Sequence, residues 1–138
     1  MRERLIVSLI KYIQHAIPAK ECPLWREVSP QGSGLPCAIL REVSGELDQS
    51  ELCDTGGRET AWQLDVYAKS ATAAELLMHR FVERLNAPGQ VMQWACGEIL
   101  YLRVTGVRDM TELEQEDGSA ERVVRRMIEF EIVTQQGV

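Results

Sequence analysis

Residues 58–87 read RETAWQLDVYAKSATAAELLMHRFVERLNA, and two periodicities meet inside them. In the first half Trp62, Leu64, Val66 and Ala68 alternate with Gln63, Asp65, Tyr67 and Lys69. A period of two predicts a strand with one buried face. In the second half Ala74, Leu77, Met78, Phe81, Val82 and Leu85 recur at spacings of three and four, the apolar stripe of a helix. The pattern switches at Lys69–Ser70, where Ser70 is a suitable N-cap. A strand running straight into an amphipathic helix is an α/β unit on which the other segments must pack. It carries no nucleophile–base pair and no metal-ligand spacing.

Outward from this unit, the chain of 138 residues suits a single domain with a real core. A hydrophobic fraction of 45% fits a globular protein. With 21 acidic and 15 basic residues the net charge is −6, which argues against non-specific binding of nucleic acid through its phosphates. No segment approaches the roughly 20 apolar residues that span a bilayer, so no membrane partner is expected. The opening MRERLIVSLIKYIQHAIP is charged and then apolar, but Lys11, Gln14 and His15 interrupt it at helical spacing. It reads as an amphipathic helix over residues 2–17 that Pro18 ends, in a cytoplasmic protein. Its apolar face would be Leu5, Ile6, Leu9, Ile13, Ala16 and Ile17.

Short strands are expected around Leu24–Val28 and through the segment LPCAILREVSGE, where Cys37, Ile39, Arg41 and Val43 share one face. After the central unit, Asn86-Ala-Pro-Gly89 closes the helix. Two strand pieces follow, Val91–Cys96 and Ile99–Val107. The final strand lies in ERVVRRMIEFEIVTQ, with Ile128, Phe130 and Ile132 on one side and Met127, Glu129, Glu131 and Val133 on the other. The order helix, strands, helix, strands predicts an α+β domain: an antiparallel or mixed sheet with two main helices on one face and long polar hairpin loops.

The polar stretches are the most unusual feature. Residues 46–57 include Glu46, Asp48, Glu51 and Asp54, and residues 109–117 include Glu112, Glu114, Glu116 and Asp117. The second reads as a loop or a frayed helix. Neither has the D-x-D-x-D-G order of an EF-hand, so no calcium site is expected. Contact with a partner and plain solvation both stay open, solvation being the commoner case for either stretch alone.

Other chemistry is sparse, and the sequence predicts no cofactor, no metal and no catalysis. Cys22, Cys37, Cys53 and Cys96 form no C-x-x-C pair and read as free, partly buried thiols. His15 and His79 have no ligand-spaced neighbours and read as surface or boundary residues. Asp65 and Tyr67 on the polar face of their strand are expected to look toward solvent or a partner. Strand alternation places Arg122 and Arg126 on one face and Arg125 on the other, suited to salt bridges with the acidic loops or a neighbouring subunit.

Three segments together resemble the tail-completion, or tail-terminator, proteins of tailed bacteriophages. LPCAILREVSG is similar to that family's short leucine-proline strand. RETAWQLDVYAKSATAAELLMHRFVERL resembles its Q-x-D-V-Y-A strand and the alanine-containing helix after it. RRMIEFEI resembles its closing segment. Each motif is weak alone; their order and spacing cover most of the chain. Cys37 stands where the family often has an aromatic residue, and residues 90–117 match nothing distinctive.

The resemblance implies structural work. Such proteins form a ring, typically a hexamer, that caps the tail tube, ends its polymerisation and offers a docking surface to the head or neck. DNA passes through the lumen as cargo. The implied partners are other copies of the chain, the tail tube protein and a head-completion or neck protein. The implied location is the virion, after assembly in the host cytoplasm. On this reading Gln63, Asp65, Tyr67, Arg122 and Arg126 face a subunit or partner, and residues 46–57 or 109–117 line the lumen or meet the tube. Two alternatives stand beside it: a head–neck connector or stopper ring, and a small ligand-binding domain or hydrolase using Asp65, Tyr67 and one histidine.

Overall fold

The structure, a computed structural model, describes residues 5–26, 34–43, 58–86, 92–94, 97–109, 113–114 and 122–136. Helix α1 spans Leu5–Ala16. Strands β1 (Leu24–Arg26), β2 (Cys37–Glu42) and β3 (Arg58–Ala68) follow. Helix α2 spans Ala71–Leu85. Then come β4 (Met92–Trp94), β5 (Gly97–Asp109), β6 (Leu113–Glu114) and β7 (Arg122–Gln136).

The strands form one sheet in the order β1-β2-β3-β7-β5-β4, with β6 pairing β7 off this path. Only β1 and β2 run parallel; the other pairs are antiparallel, so the sheet is mixed. The last strand thus inserts between β3 and β5 and becomes the centre of the sheet. It is the longest strand and pairs along the whole of β3, from Arg58 opposite Thr134 to Ala68 opposite Val124.

Both helices lie on one face, and the fold is α+β as expected. The buried stripe of β3 pairs with that of β7, Trp62 opposite Phe130 and Leu64 opposite Ile128. These side chains, with Val66 and Ile132, join Ile6, Leu9, Ile13 and Ile17 of the first helical segment and Leu77, Met78, Phe81 and Leu85 of α2 in one core. The Trp62 and Phe130 rings stack at 6.5 Å. Trp62 buries its indole completely only because Nε1 donates to Thr60 Oγ1 at 2.8 Å.

The switch into α2 occurs where the sequence places it. Ser70 is extended, at φ −138° and ψ 155°, and its side chain accepts from the Ala73 amide. Asn86 closes the helix, its amide donating to the Val82 carbonyl. Its side chain also reaches across to the sheet, where Oδ1 accepts from the Val104 amide at 2.9 Å and ties the helix end to β5.

The first helix departs from its sequence reading in two places. Ala16 is exposed, and Tyr12 takes a buried position instead. Tyr12 is amphipathic, so it covers core with its ring while its hydroxyl donates to the Arg84 carbonyl at 3.0 Å. Arg84 answers: Nε donates to the Tyr12 carbonyl at 2.9 Å, and the guanidinium lies 3.8 Å above the ring.

Candidate functional site

The face of the sheet opposite the helices holds Gln63, Asp65, Tyr67 and Arg125 among the polar residues singled out in the sequence. Register assigns them places. Across one row stand Trp25, Ile39, Asp65, Met127 and Arg108, from β1 to β5. Adjacent rows place Cys37, Tyr67 and Arg125 together, and Arg41, Gln63, Glu129 and Gly106 together.

Asp65 is the hub. The expectation of an outward carboxylate is corrected: its side chain is 0% exposed. Arg125 reaches it from β7, Nε and Nη2 donating to Oδ1 at 3.1 and 2.9 Å. Gln63 Nε2 donates to Oδ2 at 2.9 Å, and Arg41 Nη1 stands 3.7 Å from the same oxygen. A buried carboxylate is tolerated only when paired and hydrogen-bonded, and here both oxygens are. Asp65 is therefore held by side chains of its own chain and is closed to solvent.

Gln63 and Tyr67 are half-buried, not free. The Tyr67 ring lies 5.8 Å beneath the Arg125 guanidinium. Burial, then the Asp65 carboxylate, push its hydroxyl above the usual tyrosine value, against the opposing pull of Arg125 and Arg41. A phenol held protonated in this way is not a general base at neutral pH.

The basic cluster on β7 is split as strand alternation requires. Arg125 belongs to the open face; Arg126 belongs to the helix face, opposite Val66. Arg126 is 8% exposed. Its Nε lies 3.0 Å from Asp109 Oδ1 without well-aligned hydrogen-bond geometry, and its Nη2 lies 3.7 Å from Glu75 Oε1. The guanidinium also donates from Nη1 to the Arg125 carbonyl at 3.2 Å. Among the described residues its acidic partner outside α2 is Asp109, the first residue of the second acidic stretch, a salt bridge of the kind expected from the sequence. Arg122 pairs with Glu114 through the backbone.

Within residues 109–117, where the sequence suggests a loop or a frayed helix, only Asp109 and Leu113–Glu114 are described, and these are strand; residues 110–112 and 115–117 lie outside the described residues. Asp109 is the last residue of β5, and Leu113–Glu114 add a short strand to β7. Strand pairing with a long central neighbour wins over the weak helical pattern of an acidic segment. Glu46, Asp48, Glu51, Asp54, Glu112, Glu116 and Asp117 lie outside the described residues.

Four residues of this face escape a sequence reading as site residues. Arg103 pairs with Glu131, and Arg108 Nε stands 3.3 Å from Glu129 Oε1. Only half of their signal is present: Glu129 and Glu131 stand in period two, but Arg103 and Arg108 are five residues apart, which plain alternation places on opposite faces. Only the register, bulged between Ile99 and Tyr101 and again between Val104 and Gly106, brings them together.

The remaining candidates separate from this face. His15 and His79 are exposed on different helices. Among the described residues no group of three or more His, Cys, Asp or Glu could hold a metal ion, and no helix is long and apolar enough to cross a membrane. A cleft of about 280 Å³ is lined by Ala16, Ile17, Arg80, Glu83 and Arg84. Its arginines are engaged, Arg80 by Glu21 and Arg84 by Tyr12. Cys22 and Cys37 are free and buried. Burial, reinforced by the nearby Cys37, pushes the Cys22 thiol up to about 12, and burial also raises Cys37. Neither thiol is activated as a nucleophile.

No family model and no curated protein matches this chain. Among solved structures the chain is similar to one from the virion of a native gene transfer agent particle. That likeness covers 97% of this chain and 96% of the other, with a TM-score of 0.52 and 12% sequence identity. The two share a fold over nearly their whole lengths.

Proposed function

We propose that this chain is a non-enzymatic structural protein of a phage-type virion, and that it works as a tail-terminator ring. The observation that carries this reading is the whole-length fold shared with a chain of a gene transfer agent virion. It coincides with the resemblance of three sequence segments to tail-completion proteins. The conspicuous polar face is an ion-pair lattice built around Asp65 that joins β3 to β7 and stiffens the sheet, which suits a structural subunit.

On this reading six copies close into a ring on the end of the tail tube. The ring ends addition of tube subunits and presents its other side to a head-completion or neck protein. DNA passes through the lumen without being held. A net charge of −6 per copy, multiplied around the ring, suits a channel that repels phosphate. Residues 46–57 or 109–117 line the lumen or meet the tube. The protein assembles in the host cytoplasm and ends in the virion.

The test is a polymerisation assay with the tail tube protein of the same genome. Added at the start, this protein should cap tubes and shorten their length distribution in proportion to its concentration. Unchanged tube lengths, with the protein absent from tube ends by electron microscopy, would refute termination. Binding to a head or neck protein with unchanged tubes would place it as a connector instead.

A further inference from the structure

The cleft between the end of α1 and α2 holds an arginine that the fold fixes without giving it a counter-charge. Among the described residues Arg41, Arg80, Arg103, Arg108, Arg125 and Arg126 each pair with a carboxylate. Arg84 pairs with none and is engaged only by Tyr12. Its Nε donates to the Tyr12 carbonyl at 2.9 Å, and its guanidinium lies 3.8 Å from the centre of the Tyr12 ring. These contacts fix the plane of the fork and use one of its five N–H groups. Nη1 and Nη2 have no acceptor among the described residues. A half-buried guanidinium held in this way has already lost the rotamer freedom that binding would otherwise cost. The rest of the cleft, about 280 Å³ in volume, sets what can meet the fork. Ala16 and the buried Ile17 give it an apolar wall. Arg80 closes one side with its charge taken by Glu21, and the exposed Glu83 adds a carboxylate beside Arg84.

We propose that this cleft docks an acidic peptide segment of a protein partner, one that offers a carboxylate beside an apolar side chain. The carboxylate accepts two parallel hydrogen bonds from Arg84, which supplies the counter-charge that the fold leaves out. The apolar side chain lies on Ala16 and Ile17, and a backbone N–H of the peptide donates to Glu83. Glu83 also sets specificity, because a phosphate dianion placed on Arg84 would meet a like charge next to it. The site is on the helix side of the sheet, apart from the Asp65 face, and it does not depend on the tail-terminator reading.

Fluorescence anisotropy with the full chain tests this. The probe is a labelled peptide GELDQSEL, the sequence of residues 45–52, which carries a glutamate-leucine pair twice; both its ends are capped to remove terminal charge. It should bind, and its counterpart GQLNQSQL, without carboxylates, should bind about tenfold or more weakly. Arg84→Met should abolish the difference between the two peptides. Because Arg84 also braces Tyr12, melting checks that this variant is folded, and Glu83→Gln, at an exposed position, gives an independent reading. Inorganic phosphate should compete with the peptide on Glu83→Gln and not on the wild type. Equal binding of the two peptides, or no binding of either at millimolar concentration, would overturn the proposal. So would undiminished binding of the acidic peptide by folded Arg84→Met protein, or phosphate competition that is the same with and without Glu83.

Discussion

The Arg125 guanidinium closes on Asp65 from the adjacent strand through two donors to one oxygen, at 3.1 and 2.9 Å. The pair joins β3 to β7 at the middle of the open face, and Gln63 and Arg41 complete it. Removing Arg125 leaves the fully buried Asp65 carboxylate without its main partner. Arg125→Met should therefore destabilise the protein by about 3–5 kcal/mol, read by urea denaturation. A loss below about 1 kcal/mol, the range of an exposed pair, would mean that Asp65 is solvated in solution.

The same relationship changes what an Asp65 substitution can report. Asp65→Lys sets a cation between Arg125 and Arg41, so it should fail to fold rather than fail to bind. Soluble, cooperatively melting Asp65→Lys protein would show that the lattice is dispensable.

The core prediction rests on the ring pair opposite each other on β3 and β7. Trp62 and Phe130 are both 1% exposed and stack at 6.5 Å. Phe130→Ala should cost about 3–5 kcal/mol, whereas Phe130→Leu should cost much less because most of the volume is kept. Equal losses would indicate that the site collapses around either side chain.

Helix α2 depends on its cap. Ser70 Oγ accepts from the Ala73 amide at 3.1 Å in an exposed position. Ser70→Ala should lower stability by about 1 kcal/mol, and Ser70→Asp should restore it. A Ser70→Ala variant as stable as the wild type would mean that water replaces the cap at no cost.

Alkaline stability follows from the thiols. Cys22 would ionise near 9.0 when unfolded and near 12 when folded, so the folded state holds the proton more tightly. Stability is then complete below pH 9 and is lost as pH rises toward 12. Cys37, Tyr12 and Tyr67 are raised too and act in the same direction. The urea midpoint should fall steadily above pH 9, and Cys22→Ala should flatten the decline. A midpoint independent of pH in that range would contradict the burial of these groups.

These residues also show where sequence reading succeeds. The strand–helix switch at Ser70 is legible because its signals are local: alternation before it, a helical stripe after it, a capping side chain between. The buried stripe of β7 is legible for the same reason. Asp65 misleads because a carboxylate on the polar phase of a strand looks outward until its partner is known. That partner, Arg125, lies far along the chain at a position set by strand register. Tyr12 escapes because an amphipathic side chain is buried or exposed according to what its hydroxyl can reach, here the Arg84 carbonyl. The placement of β7 between β3 and β5 is likewise a matter of long-range pairing that periodicity does not encode.

Ring closure is the property on which the functional proposal stands, and native mass spectrometry of the purified protein, paired with negative-stain imaging, reads it. A subunit of 15.6 kDa should give one discrete closed assembly, at six times that mass, imaged as a six-fold ring with a central channel. A protein that remains a monomer at high concentration, and still does so on tail tubes of its own genome, would rule the ring out.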